Sequence, residues 1–140
     1  MKAAIVYWSS TGNTEAMANA VAEGAKAAGA EVDVMTVTEF SADKVAEYDA
    51  VALGCPAMGA EELEDTEFLP VYEECKGALA SKKVALFGSY GWGDGEWMQS
   101  WEEDAKGAGI SLCAASVIVQ ETPDDDGIAS CKALGEALVK

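Results

Sequence analysis

Residues Ser9-Ser10-Thr11-Gly12-Asn13-Thr14 place four hydroxyls, one side-chain amide and a glycine in six consecutive positions. The segment follows a short apolar run, Lys2-Ala3-Ala4-Ile5-Val6-Tyr7, and leads into an alanine-rich stretch from Glu15 onward. That order reads as a buried strand running through a loop into a helix start. A helix start carries unpaired backbone N–H groups and the positive end of the helix dipole. With hydroxyls and an amide around it, such a start is an anion site built from neutral donors. Hydrogen bonds to a charged phosphate are worth about 1.5–3 kcal/mol each, so several suffice to hold a phosphate monoester. An ordinary helix cap uses one Ser, Thr or Asn, and five such residues are more than a cap requires. A nucleoside triphosphate loop would carry G-K-[ST], and this segment has no lysine. The dinucleotide pattern G-x-G-x-x-G is likewise missing after the first strand.

Two further loops supply different chemistry. Cys55-Pro56-Ala57-Met58-Gly59-Ala60-Glu61-Glu62 and Ser89-Tyr90-Gly91-Trp92-Gly93-Asp94-Gly95 each set one large polarizable side chain, Met58 or Trp92, among small residues. Side chains of this kind on neighbouring loops can sandwich a flat aromatic ring, each stack worth about 0.5–1.5 kcal/mol. The flanking glycines allow backbone N–H groups to approach the ring's polar edge. The alternative is a pair of glycine-rich turns whose aromatic residues fold over the core.

Charge narrows the field. The 140 residues include 25 acidic and 9 basic ones, for a net charge of -16, and all nine basic residues are lysine. With neither histidine nor arginine, a His-based triad, a His-ligated metal and a bidentate arginine clamp on phosphate are excluded. Nucleic-acid binding, which relies on Lys and Arg to displace counterions, is not expected. Cys55, Cys75, Cys113 and Cys131 are widely spaced with no C-x-x-C pair, so they read as free thiols and no metal site is expected. Cys55 itself, followed by proline and without a cationic neighbour, reads as packing. The amino terminus has too short an apolar run for a signal peptide, and no stretch approaches the ~20 apolar residues of a membrane span. These features predict a cytoplasmic globular protein with one domain over residues 1–140.

The loops need a frame to bring them together, and the hydrophobic periods supply it. Apolar runs at residues 2–7, 50–54, 83–88 and 112–119 read as buried strands. Residues 31–37 alternate apolar and polar, the mark of an edge strand. Between them lie helical segments beginning at Glu15, near Asp43, at Phe68 with Pro70 in its first turn, at Glu96 and at Ile128. Trp97 and Trp101, four apart, read as a packing stripe, and Asp124-Asp125-Asp126 as the cap of the last helix. Five strands each followed by a helix predict an α/β fold, a three-layer, doubly wound parallel sheet. Ligands of such sheets bind at the carboxyl ends of the strands, where the loops after strands one, three and four emerge.

Taken together, Tyr7-Trp8-Ser9-Ser10-Thr11-Gly12-Asn13-Thr14-Glu15, the Met58-Gly59 loop and Ser89-Tyr90-Gly91-Trp92-Gly93 resemble the short-chain flavodoxins of anaerobic bacteria. The resemblance runs over essentially all 140 residues. It implies non-covalently bound flavin mononucleotide (FMN), a five-stranded sheet of order 2-1-3-4-5, and a monomeric electron carrier rather than an enzyme. Carried over by position, Ser9, Thr11, Gly12, Asn13 and Thr14 would bind the FMN phosphate, with Ser10 giving its N–H and Ser89 assisting. Met58 and Trp92 would flank the ring within loops that also include Pro56, Ala57, Ala60 and Tyr90. Glu61 would accept from the flavin N3–H, and the backbone of Gly91 to Gly93 would donate to the pyrimidine oxygens. The Met58-Gly59 peptide would turn its carbonyl to the flavin N5 in the neutral semiquinone.

Seven carboxylates and no lysine lie between Ala57 and Glu74. One charge at ~10 Å with an effective dielectric of ~20 costs an added electron roughly 1.7 kcal/mol, or ~70 mV. Their sum would lower the potential of the anionic hydroquinone couple. The resemblance therefore implies a low-potential one-electron carrier serving larger redox proteins, ferredoxin-type oxidoreductases and reductases, that dock through basic surfaces. The alternative is an FMN-dependent NAD(P)H:quinone reductase, which shares the phosphate loop. A phosphorelay receiver domain would need an aspartate at the end of strand three, where this chain has Gly54-Cys55.

Overall fold

Ala3, Ala4, Ile5 and Val6 are wholly buried, so β1 (Lys2–Tyr7) can only be a central strand with apolar neighbours on both faces. The computed structural model describes residues 1–9, 12–58, 63–91 and 95–140. In chain order β1 is followed by α1 (Asn13–Ala27), β2 (Glu31–Thr36), a 3₁₀ turn (Val37–Glu39), α2 (Ala42–Val45) and β3 (Ala50–Gly54). Then come α3 (Phe68–Leu79), β4 (Lys83–Tyr90), α4 (Glu96–Gly107), β5 (Ser111–Leu112), β6 (Val117–Gln120) and α5 (Asp125–Leu138).

The sheet runs β2-β1-β3-β4-β5, with β6 also on β4, and every pairing is parallel. This is the expected order 2-1-3-4-5, with one correction at its far edge. The predicted single strand at residues 112–119 is two short strands. Val84 pairs with Leu112 and Phe87 with Val117, so the four residues between Leu112 and Val117 face the two between Val84 and Phe87. The excess is taken up as a bulge of small residues, Cys113-Ala114-Ala115-Ser116, in the edge strand, where bulges are best tolerated. Periodicity alone registers no such insertion, because the apolar character continues through it.

Strand side chains alternate between two cores. Val6, Val51, Leu53, Val84 and Leu86 pack under α3 and α4 with Phe68, Tyr72, Trp97 and Trp101. Ile5, Ala52 and Phe87 pack under α1 and α5 with Met17, Val21, Leu134 and Leu138. The helices α1 and α5 approach closely through two glycines. A Cβ on Gly24 would collide with the Lys132 carbonyl oxygen, and one on Gly135 with that of Val21. Among the described residues, no helix is long and apolar enough to cross a membrane. All four cysteines are free thiols.

Candidate functional site

At the carboxyl edge of the sheet the hydrogen-bond ladder continues past the strand ends and draws four loops together. Trp8 N–H donates to Gly54 O (3.0 Å), Cys55 N–H to Phe87 O (3.2 Å), Ala57 N–H to Ser89 O (3.0 Å) and Glu121 N–H to Tyr90 O (2.7 Å). The first three join the loops expected to act together. The fourth brings in a loop that sequence reasoning missed, the one leaving β6. Glu121 has φ of 57°, the left-handed region, and Thr122 Oγ1 donates to Asn13 Oδ1 at 3.2 Å. The rule that ligands gather at strand ends applies to this last strand too; its position was the available signal.

The first loop turns into α1 at Gly12, whose φ of 92° is left-handed and where a Cβ would meet nothing within 4 Å. Gly12 N–H donates to Ser9 Oγ at 3.1 Å. No side-chain cap closes the helix start among the described residues, so its dipole and N–H groups face the loop. Thr14 is 1% exposed, and its hydroxyl lies 3.1 Å from that of Ser89, a residue 75 positions away. Glu15 would oppose an anion here, but its carboxylate turns aside to accept from Tyr7 Oη at 2.8 Å. Burial, then the hydrogen bond to Glu15, push the Tyr7 phenol up to about 12, so it remains a neutral donor.

Beside this helix start lies a cleft of about 260 Å³, lined by Asn13, Pro56, Ala57, Met58, Ser89, Tyr90, Gly91 and Glu121. Together with Ser9, Gly12 and Thr14, the structure thus brings ten of the expected site residues to one edge. Ser10, Thr11, Gly59, Ala60, Glu61, Trp92 and Gly93 lie outside the described residues. The residues present fit FMN. Ser9, Thr14, Ser89 and the open α1 start offer neutral donors for a phosphate, and Met58 and Tyr90 offer flat contact area beside it.

The floor of the site is held by groups the sequence assigned to packing alone. Trp97 Nε1 donates to Cys55 O at 3.2 Å, and a Cβ on Gly88 would collide with that same carbonyl. Cys55 is wholly buried, and desolvation pushes its thiol up to about 12, which agrees with packing rather than thiolate chemistry. Its Sγ accepts from Glu64 N–H at 3.4 Å.

Glu64, one of the seven carboxylates after β3, also has a structural role. It is 5% exposed and lies just before α3, whose N-cap residue is Glu67. Its carboxylate accepts from the N–H groups of Thr66 (3.0 Å), Glu67 (2.7 Å) and Phe68 (2.8 Å), and from Thr66 Oγ1. Burial raises its pKa, but the bonds from Thr66, Phe68 and Glu67 outweigh burial and hold it below the usual value. Nearby, Glu67 accepts from Trp8 Nε1 at 3.0 Å, and Asp124 caps α5 by accepting from Gly127 N–H at 2.8 Å.

Comparison with known proteins agrees with this geometry. The profile of the family "Flavodoxin" matches residues 5–135. A flavodoxin from Megasphaera elsdenii is 49% identical over 136 residues, 97% of each chain, and one from Clostridium beijerinckii is 48% identical over 121 residues, 86% of this chain and 88% of that one. The solution structure of the two-electron reduced Megasphaera elsdenii protein superposes with a TM-score of 0.90 at 48% identity, covering 98% of both chains. More distantly, an NAD(P)H dehydrogenase (quinone) of Azorhizobium caulinodans is 36% identical over 124 residues, spanning 86% of this chain but 61% of that one.

Proposed function

The chain belongs to the flavodoxin family, whose members carry electrons on bound FMN, and we propose that it is a low-potential one-electron carrier, a monomer and not an enzyme. One observation carries the site assignment: a helix start with no side-chain cap among the described residues and a paired Thr14–Ser89 hydroxyl couple open onto a cleft flanked by Met58 and Tyr90. FMN supplies the redox chemistry. Ser9, Gly12, Asn13, Thr14 and Ser89, with Ser10 and Thr11, hold its phosphate without any cationic side chain. Pro56, Ala57 and Met58, with Gly59, Ala60 and Glu61, cover one side of the ring. Tyr90 and Gly91, with Trp92 and Gly93, cover the other. Glu121 closes the cleft from the loop after β6.

The carboxylates around this edge make it costly to add negative charge, which sets the potential low and favours docking on basic surfaces of larger redox proteins. The purified chain is expected to be yellow with one FMN per chain. When mixed with NADH or NADPH alone it is expected to stay oxidised, and to be reduced once a flavin reductase is added. Rapid reduction by the nicotinamide nucleotide alone would instead favour a quinone reductase.

A further inference from the structure

A cleft of about 530 Å³ lies between α3 and α4; it shares no lining residue with the 260 Å³ cleft, although Trp97, which donates to Cys55 O beneath that cleft, lines it. Its aromatic lining comes from Tyr72, Trp97 and Trp101, each at most 2% exposed. Trp101 stands edge-on to Phe68 at 5.4 Å and to Tyr72 at 6.0 Å between ring centroids, which fixes this surface. Four carboxylates, Asp65, Glu73, Glu96 and Asp104, surround it.

Three of the lining residues, Tyr72, Glu73 and Asp104, already hold a cation from beside the cleft. Lys76 Nζ lies 2.9 Å from Glu73 and 2.7 Å from Asp104, and 5.1 Å above the Tyr72 ring. Asp104 also accepts from Tyr72 Oη at 2.9 Å. The chain's own ammonium therefore sits between carboxylates and over an aromatic face, a favourable seat for a cation on an apolar stem. Asp65 and Glu96, also in the lining, have no ion pair among the described residues. Asp65 follows the loop from β3, and Glu96 opens α4 just after the loop from β4, so these two residues adjoin the two loops assigned to the flavin ring.

We propose that the α3–α4 cleft receives a single lysine or arginine side chain of the redox partner, its charged head at Asp65 and Glu96 and its methylenes along Leu63 and Leu69, which are partly exposed in the lining. The assignment rests on the electron-carrier reading and gives that partner a fixed anchoring point outside the FMN cleft. Four carboxylates against one ammonium leave this cleft with a net negative charge that favours a cation. A neutral apolar side chain would cover Asp65 and Glu96 without compensating them.

The test uses the FMN-loaded full chain, isotopically labelled for NMR, with Nα-acetyl-lysine methylamide and its norleucine counterpart as probes. The lysine probe is expected to shift the indole N–H signals of Trp97 and Trp101 with a Kd of about 1–10 mM. The norleucine probe is expected to leave them in place, and the variant Asp65→Asn/Glu96→Gln to abolish the lysine response. No shift, equal shifts with both probes, or a lysine response surviving in the variant would each overturn the proposal. A kinetic arm follows one electron from the reduced protein to the ferric haem of cytochrome c, a lysine-rich acceptor, at low ionic strength. Asp65→Asn/Glu96→Gln is expected to lower the second-order rate constant about 3- to 10-fold, and the equally charged control Asp43→Asn/Glu136→Gln less than about 2-fold. Equal losses in the two variants would assign the effect to overall charge and overturn the slot. If the parent protein passes no electron at all, the carrier reading fails, while the cation slot still stands or falls on the NMR shifts.

Discussion

Four longer helices begin at the carboxyl edge of the sheet, and they begin in two ways. The helices α3 and α5 start under carboxylates of the chain itself, Glu64 and Asp124. The helices α1 and α4 start at left-handed glycines, Gly12 with φ of 92° and Gly95 with φ of 89°, and have no side-chain cap among the described residues. The physics is the same at all four: a positive helix end with orphan N–H groups is stabilised by an anion. Where the end is structural, the chain supplies the anion. At α1 and α4 the N-cap is a glycine instead, and under the proposed function the α1 start would take the charge of the FMN phosphate. Glu15 does lie in the first turn of α1, but its carboxylate accepts from Tyr7 Oη at 2.8 Å and so turns aside from that start.

The strongest challenge to this contrast removes the ligand's charge. Riboflavin, lacking the phosphate, is expected to bind about 1,000-fold or more weakly than FMN, several charged hydrogen bonds being lost at 1.5–3 kcal/mol each. Fluorescence titration of the apoprotein measures this, and near-equal affinities would break the distinction between the two kinds of helix start. Next in size, Glu64→Gln is expected to cost about 2–3 kcal/mol in urea unfolding, since it takes the charge from a buried acceptor of several bonds. The folded-state pKa of Glu64 lies below its ordinary 4.5. Its contribution is therefore fully present above about pH 4.5 and fades as pH falls through the folded value. The stability gap between parent and variant should close in acid; a gap independent of pH would remove the charged-acceptor account.

Thr14→Val is smaller. It deletes one hydroxyl at the open start and leaves that of Ser89 without its partner. FMN affinity is expected to fall ~10-fold, in contrast with Glu64→Gln, whose effect should appear in the unfolding of the apoprotein. Asp124→Ala sharpens the comparison from the other side. It is expected to cost about 1 kcal/mol of stability as an ordinary lost cap, with the FMN dissociation constant unchanged within about 2-fold in the same titration.

The strands, their parallel arrangement and the clustering of the three loops were legible because burial and periodicity are local properties. Runs such as Ala50-Val51-Ala52-Leu53 declare a buried strand, and Ser9 to Thr14 declare a helix start rich in donors. What stayed hidden depends on distant contacts or on backbone angles. Glu64 reads as one acid among seven until the fold shows it beneath the first N–H groups of α3. Glu121 enters the site through a left-handed φ that no side-chain type at that position advertises. Trp97 and Trp101 announce themselves as packing, correctly. That they also line an acid-rimmed cleft follows only from the placement of α3 beside α4. The bulge at Cys113 to Ser116 escaped because extra residues of similar polarity leave the apolar run unbroken.

The contact between Gly24 on α1 and Gly135 on α5 acts at a distance. Gly24 is 12 residues beyond Gly12, so at 1.5 Å per residue it is about 18 Å along the helix from the phosphate loop. A helix is stiff over that span, and its clamped end works as the short arm of a lever whose long arm points the loop. Enlarging Gly135 by one methyl group would wedge the two helices apart and swing Gly12 and Thr14 with them. The aim of the α1 start, the proposed phosphate site, is thus set partly on the opposite end of the molecule, by two residues whose contribution is to occupy no space.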